Sequence, residues 1–506
     1  MSLADRMSAV VGAEHVISDG GELAFYADDL VRWERPASPA FAVRPGSAED
    51  VAVIARMARS EGLTLVPRGA GLSYTGGVVP NDGAAIVLDL TRLNTVEVDE
   101  DNLLVRVGAG TSWLSLAQKL SARGLRPLQL GPISGEYSTV AGAVSQNVPG
   151  NLDGVAGLQV VLADGTIVET GAASVAGGTP FYRHFGPDLT GLFCGDCGVF
   201  GIKTAVSLRL IRERAASFAS FSFAEARELA SAMAQLAAAG LGVRLFGMDP
   251  QKNSDAVKVD ARTALHTTLS VIRKARGPIA LVRDLAQLAS APRRMNASGW
   301  TLHITAEAPT QIAADSILNE ARALLRGKGR EIDNVLPKTL HAKPYSVRGF
   351  VGRDGERWVP IHGMLPMGEA VPAISALQSY FVQQAGAMSA AGISLGYFFT
   401  SFGPYVSMEP MFYWRDALSP IHMRYLSERN RARFANRPDN PQARALVERL
   451  RSDVRAIFRS HGALHAQLAR YYPYLGMLNP GAAELARRIK HALDPAHALN
   501  RGALDF

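Results

Sequence analysis

Short apolar runs, each closed by a glycine or an acidic residue, organise the first 210 positions of the chain. Leu63-Thr-Leu-Val-Pro67 and Ala85-Ile-Val-Leu-Asp-Leu90 read as short buried strands. Ser47-Ala-Glu-Asp50 supplies an N-cap and an acidic first turn for a helix over Val51–Glu61, and Gly62 ends it. Thr95–Asp99 and Leu103–Gly108 pair as a hairpin across Glu100-Asp-Asn102. Gly110-Thr111-Ser112 caps a helix that runs to Arg123, with Gly124 behind it. Val160–Val168 is a hairpin that turns on Asp164-Gly165, and an alternating strand closes at Leu210. Residues 1–45 read as a helical pair and an extended arm ending in Ala42-Val-Arg-Pro-Gly46.

From about Ala216 the pattern changes. Helical periods over Glu225–Ala239, Pro309–Gly327 and Pro372–Ala390 alternate with strands such as Trp300–Ala306, Arg357–Gly363 and Met411–Trp414. Residues 430–460 follow as one charged helix. Such alternation predicts an α+β layered unit. There is no internal repeat.

Composition sharpens this only in part. A chain of 506 residues exceeds a single core, which predicts two or three domains. With 47% hydrophobic and 20% charged residues it has the balance of a soluble globular protein. No apolar run reaches the length of a membrane span, and Met1-Ser-Leu-Ala-Asp-Arg6 does not open a secretory signal. Cys194 and Cys197 cannot staple a chain this long, so a reducing, cytoplasmic setting is expected. The net charge of +7 is scattered, with modest clusters at Arg424–Arg433 and Arg487–Lys490, which argues against nucleic acid. These bases read as solvated surface, with attraction of an anionic substrate or lipid headgroup as the alternative.

Two stretches carry chemistry. Arg68-Gly-Ala-Gly-Leu-Ser-Tyr-Thr-Gly-Gly77 follows the first strand, and a glycine-rich turn of this kind aims successive N–H groups into one anion-binding concavity. Ser73 and Thr75 add hydroxyls, and Arg68 adds a positive charge. The alternative is a plain surface turn. Neither Gly-x-x-x-x-Gly-Lys-Ser/Thr nor a complete Rossmann fingerprint is present. Gly131–Asn151 is rich in small residues, so a flat ligand could lie against its backbone; tight helix-to-sheet packing explains some of those glycines.

Four segments, taken in order, resemble the flavin-binding domain of the vanillyl-alcohol oxidase and p-cresol methylhydroxylase (PCMH) superfamily. They are Arg68–Gly77 with Pro80, Ser138–Asn147, Gly195-Asp-Cys-Gly-Val-Phe-Gly-Ile-Lys-Thr204, and Ile489–Asn500, which is followed by Arg501 where proline is usual. The texture is closest to the glycolate and D-lactate dehydrogenase type. The resemblance implies an α+β fold with a PCMH-type FAD-binding domain formed by both chain ends, residues 1–215 and 456–506. A cap of antiparallel sheet plus helices, residues 216–455, would be inserted between them. It assigns FAD to Arg68, Gly69, Ala70, Gly71, Leu72, Ser73 and Gly76 at the pyrophosphate. Pro132, Thr139, Gly142 and Asn147 fall along the flavin, with Gly198, Ile202 and Asn500 completing the site. Leu72 stands where tethered members carry histidine, and Ser145 lies where doubly linked members have a nearby cysteine, so the flavin is expected to be non-covalent. Tyr405 is the one candidate for a link from the cap.

The resemblance also places substrate between flavin and cap, within reach of His461-Gly-Ala-Leu-His465-Ala-Gln-Leu-Ala-Arg470-Tyr471. His461 and Gly462 match the Glu-His-Gly element of hydroxy-acid dehydrogenases, with Ser460 in place of glutamate. A near-neutral imidazole suits removal of a hydroxyl proton, which makes His465 the first candidate base and His461 the second. A structural role is the alternative for each. Arg470 is a candidate carboxylate clamp. In the cap, His362 and Arg348 are further candidates, and Tyr471, Tyr413 and Trp414 are candidate substrate contacts, with core packing as the alternative for the strand 408–414. The His-x-Gly-Asp-Gly-Asn-x-His element of metal-dependent members is absent, so no metal is expected. Cys194-Gly-Asp-Cys197 has thioredoxin spacing, but it falls inside a glycine element and reads as structural.

The function expected is hydride transfer from a small alcohol or 2-hydroxy acid to flavin. A 4-alkylphenol or vanillyl-alcohol-type donor is the runner-up, and a non-catalytic flavin-binding protein the reading from another class. The partners expected are a small-molecule substrate and an electron acceptor (oxygen, quinone, cytochrome or flavoprotein), with a homodimer left open.

Overall fold

A computed structural model describes residues 1–31, 37–148, 152–251, 299–345 and 350–506. The chain divides into two compact units. The first comprises Met1–Arg212, Leu418–Arg431 and Ala466–Phe506, and the second Glu213–Ala417 and Ala432–His465.

The first unit holds two sheets. In one, Phe41–Val43, Ala85–Asp89 and Thr64–Arg68 run parallel, and Val16–Ile17 adds antiparallel at the edge. Ala85–Asp89 lies between two neighbours and is buried throughout, so it reads as an unbroken apolar run rather than an alternating one. The helix Ala48–Ser60 starts where the Ser47 hydroxyl accepts the Asp50 N–H at 3.0 Å. It buries Val51, Ile54, Ala55 and Ala58, and Gly62 follows with φ +68°. The second sheet is ordered Val96–Asp99, Leu104–Gly108, Ile202–Arg212, Val155–Val161, Ile167–Glu169, with Leu125–Pro127 also on Ile202–Arg212. Both expected hairpins are present.

The distant tail is stitched into the first sheet. Leu65 N donates to Ala498 O at 2.7 Å, and Asn500 N donates to Leu65 O at 2.8 Å. The buried Lys490 ammonium, on the helix Pro480–Leu493, anchors that segment through Asp494 at 2.6 Å and Val199 O at 2.9 Å.

The second unit is built on an antiparallel sheet ordered Arg330–Ile332, Ala215–Phe223, Trp300–Ala308, Arg244–Met248, Ser394–Gly403, Tyr405–Trp414, Arg357–Pro360. Helices Ala226–Ala238 and Gln311–Leu324 pack on its strands, and Ala370–Ala390 and Pro441–Ser460 pack on each other.

Three boundaries differ from expectation. The single charged helix over 430–460 is two, Glu428–Phe434 and Pro441–Ser460, because Pro438 and Pro441 interrupt the first and Asn440 caps the second. The single strand over Arg357–Gly363 is likewise two, Arg357–Pro360 and Gly363–Pro366, each paired with a different part of Tyr405–Trp414. The last return to the first unit falls at Ala466 rather than 456, and Leu418–Arg431 belongs to that unit as well. His461 and His465 therefore sit in the second unit, while Arg470 and Tyr471 sit in the first.

Candidate cofactor site

The parallel strand Thr64–Arg68 delivers the glycine loop to one wall of a cleft that encloses about 1010 Å³ of space free of protein atoms, partly open to solvent. Gly71 takes φ +77°, and a Cβ there would collide with the Arg68 guanidinium. A Cβ at Gly69 would run into the Thr139 hydroxyl, so absence of a side chain lets loop and platform meet. Among the described residues, the amides of Ala70, Gly71 and Leu72 donate to no protein acceptor. Buried backbone donors are normally paired, and three successive unpaired ones facing a cleft form a nest suited to an anion such as a diphosphate.

Arg68 lines the cleft and also props the loop. Its guanidinium donates to Asp28 O and Phe25 O, each at 3.0 Å, and lies 4.9 Å from the Phe25 ring. Full burial pulls its pKa down. Ser73 lines the cleft too; its hydroxyl accepts the Thr75 N–H at 3.3 Å.

The platform segment forms the second wall with Pro132, Thr139 and Gly142. Its small residues include a helix not anticipated from sequence, Val140–Gln146, capped where Thr139 Oγ1 accepts the Gly142 N–H at 3.2 Å. Asn147 ends it at φ +52°, a left-handed position that asparagine tolerates. The third wall carries Cys197, Gly198 and Lys203. Lys203 is buried and ion-paired with Asp196, a pairing the spacing of the segment did not reveal. Burial raises the Cys194 thiol to about 11 and Cys197 to about 12, so neither is a thiolate at neutral pH. Cys197 Sγ instead accepts the Ala469 N–H at 3.3 Å.

Four residues expected at the cofactor, Gly76, Asn147, Ile202 and Asn500, are not among those lining this cleft, although Gly77, Gln146, Val148 and Gly201 beside the first three are. Gly76 gives its N–H to the buried Asp29 carboxylate at 2.8 Å, a partner the sequence gave no reason to name. Ile202 is a fully buried strand residue. Asn500 donates to Gly77 O at 2.9 Å and Cys197 O at 2.6 Å, clipping loop and tail together.

Arg470 belongs to the same clip. In place of the expected carboxylate clamp, its guanidinium serves Gly76 O, Asn500 Oδ1 at 2.8 Å and Arg501 O at 2.8 Å. With both terminal nitrogens committed, no bidentate face is left for a substrate. Burial also lowers its pKa to about 10. Tyr471 is buried in the first unit with its ring edge-on to Tyr472.

In the second unit, His465 and His362 come together. His465 Nδ1 lies 2.6 Å from His362 O, and a carbonyl can only accept, so Nδ1 carries the proton and Nε2 the lone pair. Burial lowers the His465 pKa to about 4, which keeps the ring neutral at pH 7. His461 is not with them: its Nδ1 meets Glu369 Oε2 at 2.8 Å at the end of the helix Pro441–Ser460. Trp414 is buried with its N–H on Asp416 at 3.0 Å, which makes it a core residue rather than a substrate contact. Tyr413 faces the other way and stacks on Trp358 at 6.2 Å. Tyr405 is mostly buried, which raises its pKa. Arg348 lies outside the described residues. Among the described residues no cluster of histidine, cysteine or carboxylates could hold a metal, and no helix is long and apolar enough to cross a membrane.

Comparison with known proteins names the cofactor. Residues 39–171 match the FAD_binding_4 family, described as an FAD binding domain. This is an FAD-binding domain. The chain is 30% identical over 205 residues to the glycolate oxidase subunit GlcD of Bacillus subtilis, covering 38% of this chain and 41% of that protein. It is 34% identical over 201 residues to the mitochondrial D-2-hydroxyglutarate dehydrogenase of Bos taurus, covering 38% of this chain and 36% of that one. The chain thus spans less than half the length of these relatives. The solved structure of p-cresol methylhydroxylase with substrate bound superposes with TM-score 0.70 at 16% identity, over 99% of this chain and 96% of that one. The fold around the FAD-binding domain is therefore of the PCMH type.

Proposed function

We propose that the chain is an FAD-dependent oxidoreductase that oxidises a small alcohol or 2-hydroxy acid to the carbonyl compound. The observation that carries this reading is the nest of acceptor-free amides at Ala70, Gly71 and Leu72 within an FAD-binding domain. Bound FAD supplies the hydride acceptor. The glycine loop would hold the diphosphate by backbone donors, and the wall from Pro132 to Gly142 would support the ring system. His465 is assigned as the base: kept neutral by burial and oriented by His362 O, it can hold the substrate hydroxyl proton at Nε2 as the carbinol becomes a carbonyl. The electron acceptor would be oxygen, a quinone, a cytochrome or another flavoprotein.

The hydroxy-acid class is supported by relatives named for glycolate, D-lactate and D-2-hydroxyglutarate. A 4-alkylphenol is the second reading, favoured by whole-chain similarity to p-cresol methylhydroxylase. It is weakened by Arg470, which has no donor pair left to steady a phenolate. Anaerobic mixing of the purified flavoprotein with glycolate, D-lactate, D-2-hydroxyglutarate and 4-ethylphenol tests both. Loss of the flavin band near about 450 nm with a hydroxy acid is the expected result. Bleaching by the phenol alone would transfer the assignment, and bleaching by none would remove both.

A further inference from the structure

The segment Leu418–Arg431 interrupts the second unit's sequence yet belongs to the first. It carries the short helix Pro420–Tyr425, which packs on the helix Gly20–Tyr26. Arg424 there lies 5.4 Å from the Phe25 ring, and the Phe25 carbonyl in turn accepts from Arg68. At the end of the helix, Tyr425 Oη donates to Ala70 O at 2.6 Å. The Tyr425 ring also lies 4.8 Å from that of Tyr137, just ahead of the platform. One side chain therefore touches both segments that shape the cleft, without being part of its wall.

Peptide geometry gives this contact a consequence. In a trans peptide the Ala70 carbonyl and the Gly71 N–H point in opposite directions. Gly71 at φ +77° has no Cβ to resist rotation of that peptide plane, so something else must hold it. Tyr425 pins the carbonyl from outside, and the Gly71 amide on the other edge of the plane has no acceptor among the described residues. We propose that Tyr425 is a positioning residue for FAD: it fixes the Ala70–Gly71 peptide so that the Gly71 N–H is preorganised for the diphosphate. This rests on the FAD reading of the cleft. Burial raises the Tyr425 pKa to about 12, so the phenol remains a donor throughout the neutral range. The contribution matters in a loop where Leu72 stands in place of the histidine expected in tethered members, because the loop itself then offers no covalent anchor.

The test titrates full-length apoprotein with FAD, ADP and riboflavin, following flavin fluorescence or heat, and compares wild type with Tyr425→Phe. ADP carries the diphosphate without the flavin, and riboflavin the flavin without phosphate. Loss of one preorganising hydrogen bond should weaken FAD and ADP by roughly three- to tenfold, leaving riboflavin and the melting temperature unchanged. Equal affinities in the two proteins overturn the proposal, and so does a loss shared equally by riboflavin, which would mark general loosening. If wild type itself binds neither FAD nor ADP, it is the FAD reading that fails. Tyr137→Leu, which loosens the ring support and keeps the phenol, guards against a misfolded Tyr425→Phe: weaker ADP binding supports the role, and wild-type ADP affinity counts against it.

Discussion

The two units treat their polar atoms differently. In the first, the amides of Ala70, Gly71 and Leu72 face a cleft with no acceptor among the described residues, while neighbouring donors at Gly76 and Ala469 are engaged. In the second, two conspicuous buried side chains find partners inside the unit. His303 sits between the Ser220 hydroxyl at 2.8 Å and that of Thr301 at 3.1 Å, and Trp414 is tied to Asp416. An unfinished set of donors marks where a ligand completes the structure, since burying such groups unpaired is costly. Where buried side chains are already partnered, recognition must come from a few side chains such as His465.

Substitutions can break or sharpen this contrast. The largest effect expected is from His465→Gln: flavin reduction by the preferred donor should slow by about 10²–10⁴-fold, the range for losing a general base. FAD affinity should be unaffected, and unchanged stopped-flow reduction would return His465 to a structural role. Next, Asp196→Ala strands the buried Lys203 ammonium in the cleft wall and should destabilise the first unit by about 3–5 kcal/mol, read by denaturant unfolding. Gly71→Ala forces a side chain onto the Arg68 guanidinium at positive φ, and FAD affinity should fall by about tenfold or more, measured by titration of apoprotein. An effect there no larger than at a surface glycine would sink the nest.

The smallest expected effect is on pH. His465 is neutral in the fold with a pKa near about 4, against an ordinary value of 6.5. The unfolded chain therefore binds the extra proton first. Stability from this group is fully present above pH 6.5 and declines as pH falls toward about 4. One pH unit below that upper limit costs about 1.4 kcal/mol, and His465→Gln should flatten that share of the melting-temperature profile. His303, lowered to about 3 by burial alone, adds a decline that the substitution leaves in place.

Much of the cofactor half was readable because its signals are local. A glycine that must adopt φ +77°, a Ser47 cap and an unbroken apolar run such as Ala85–Leu88 each impose their geometry within a few residues. The charged helix over 430–460 failed for an equally local reason, the prolines at 438 and 441, which its composition outweighed in the reading. The candidate substrate contacts fared differently. Arg470 in the first unit and Trp414 in the second carry the side chains of a substrate site, yet each spends its donors on partners within its own unit.

Residue type alone thus pointed to the cleft's chemistry: small side chains and a glycine-rich turn suited to an anion. Tertiary structure decided which polar groups remained for a ligand. Asp29 takes Gly76, Asn500 and Arg470 close the clip with the tail, and Tyr425 reaches Ala70 across 355 positions of sequence. Hydrogen-bond capacity is written in a side chain, but how it is used depends on which distant acceptor folding brings within about 3 Å.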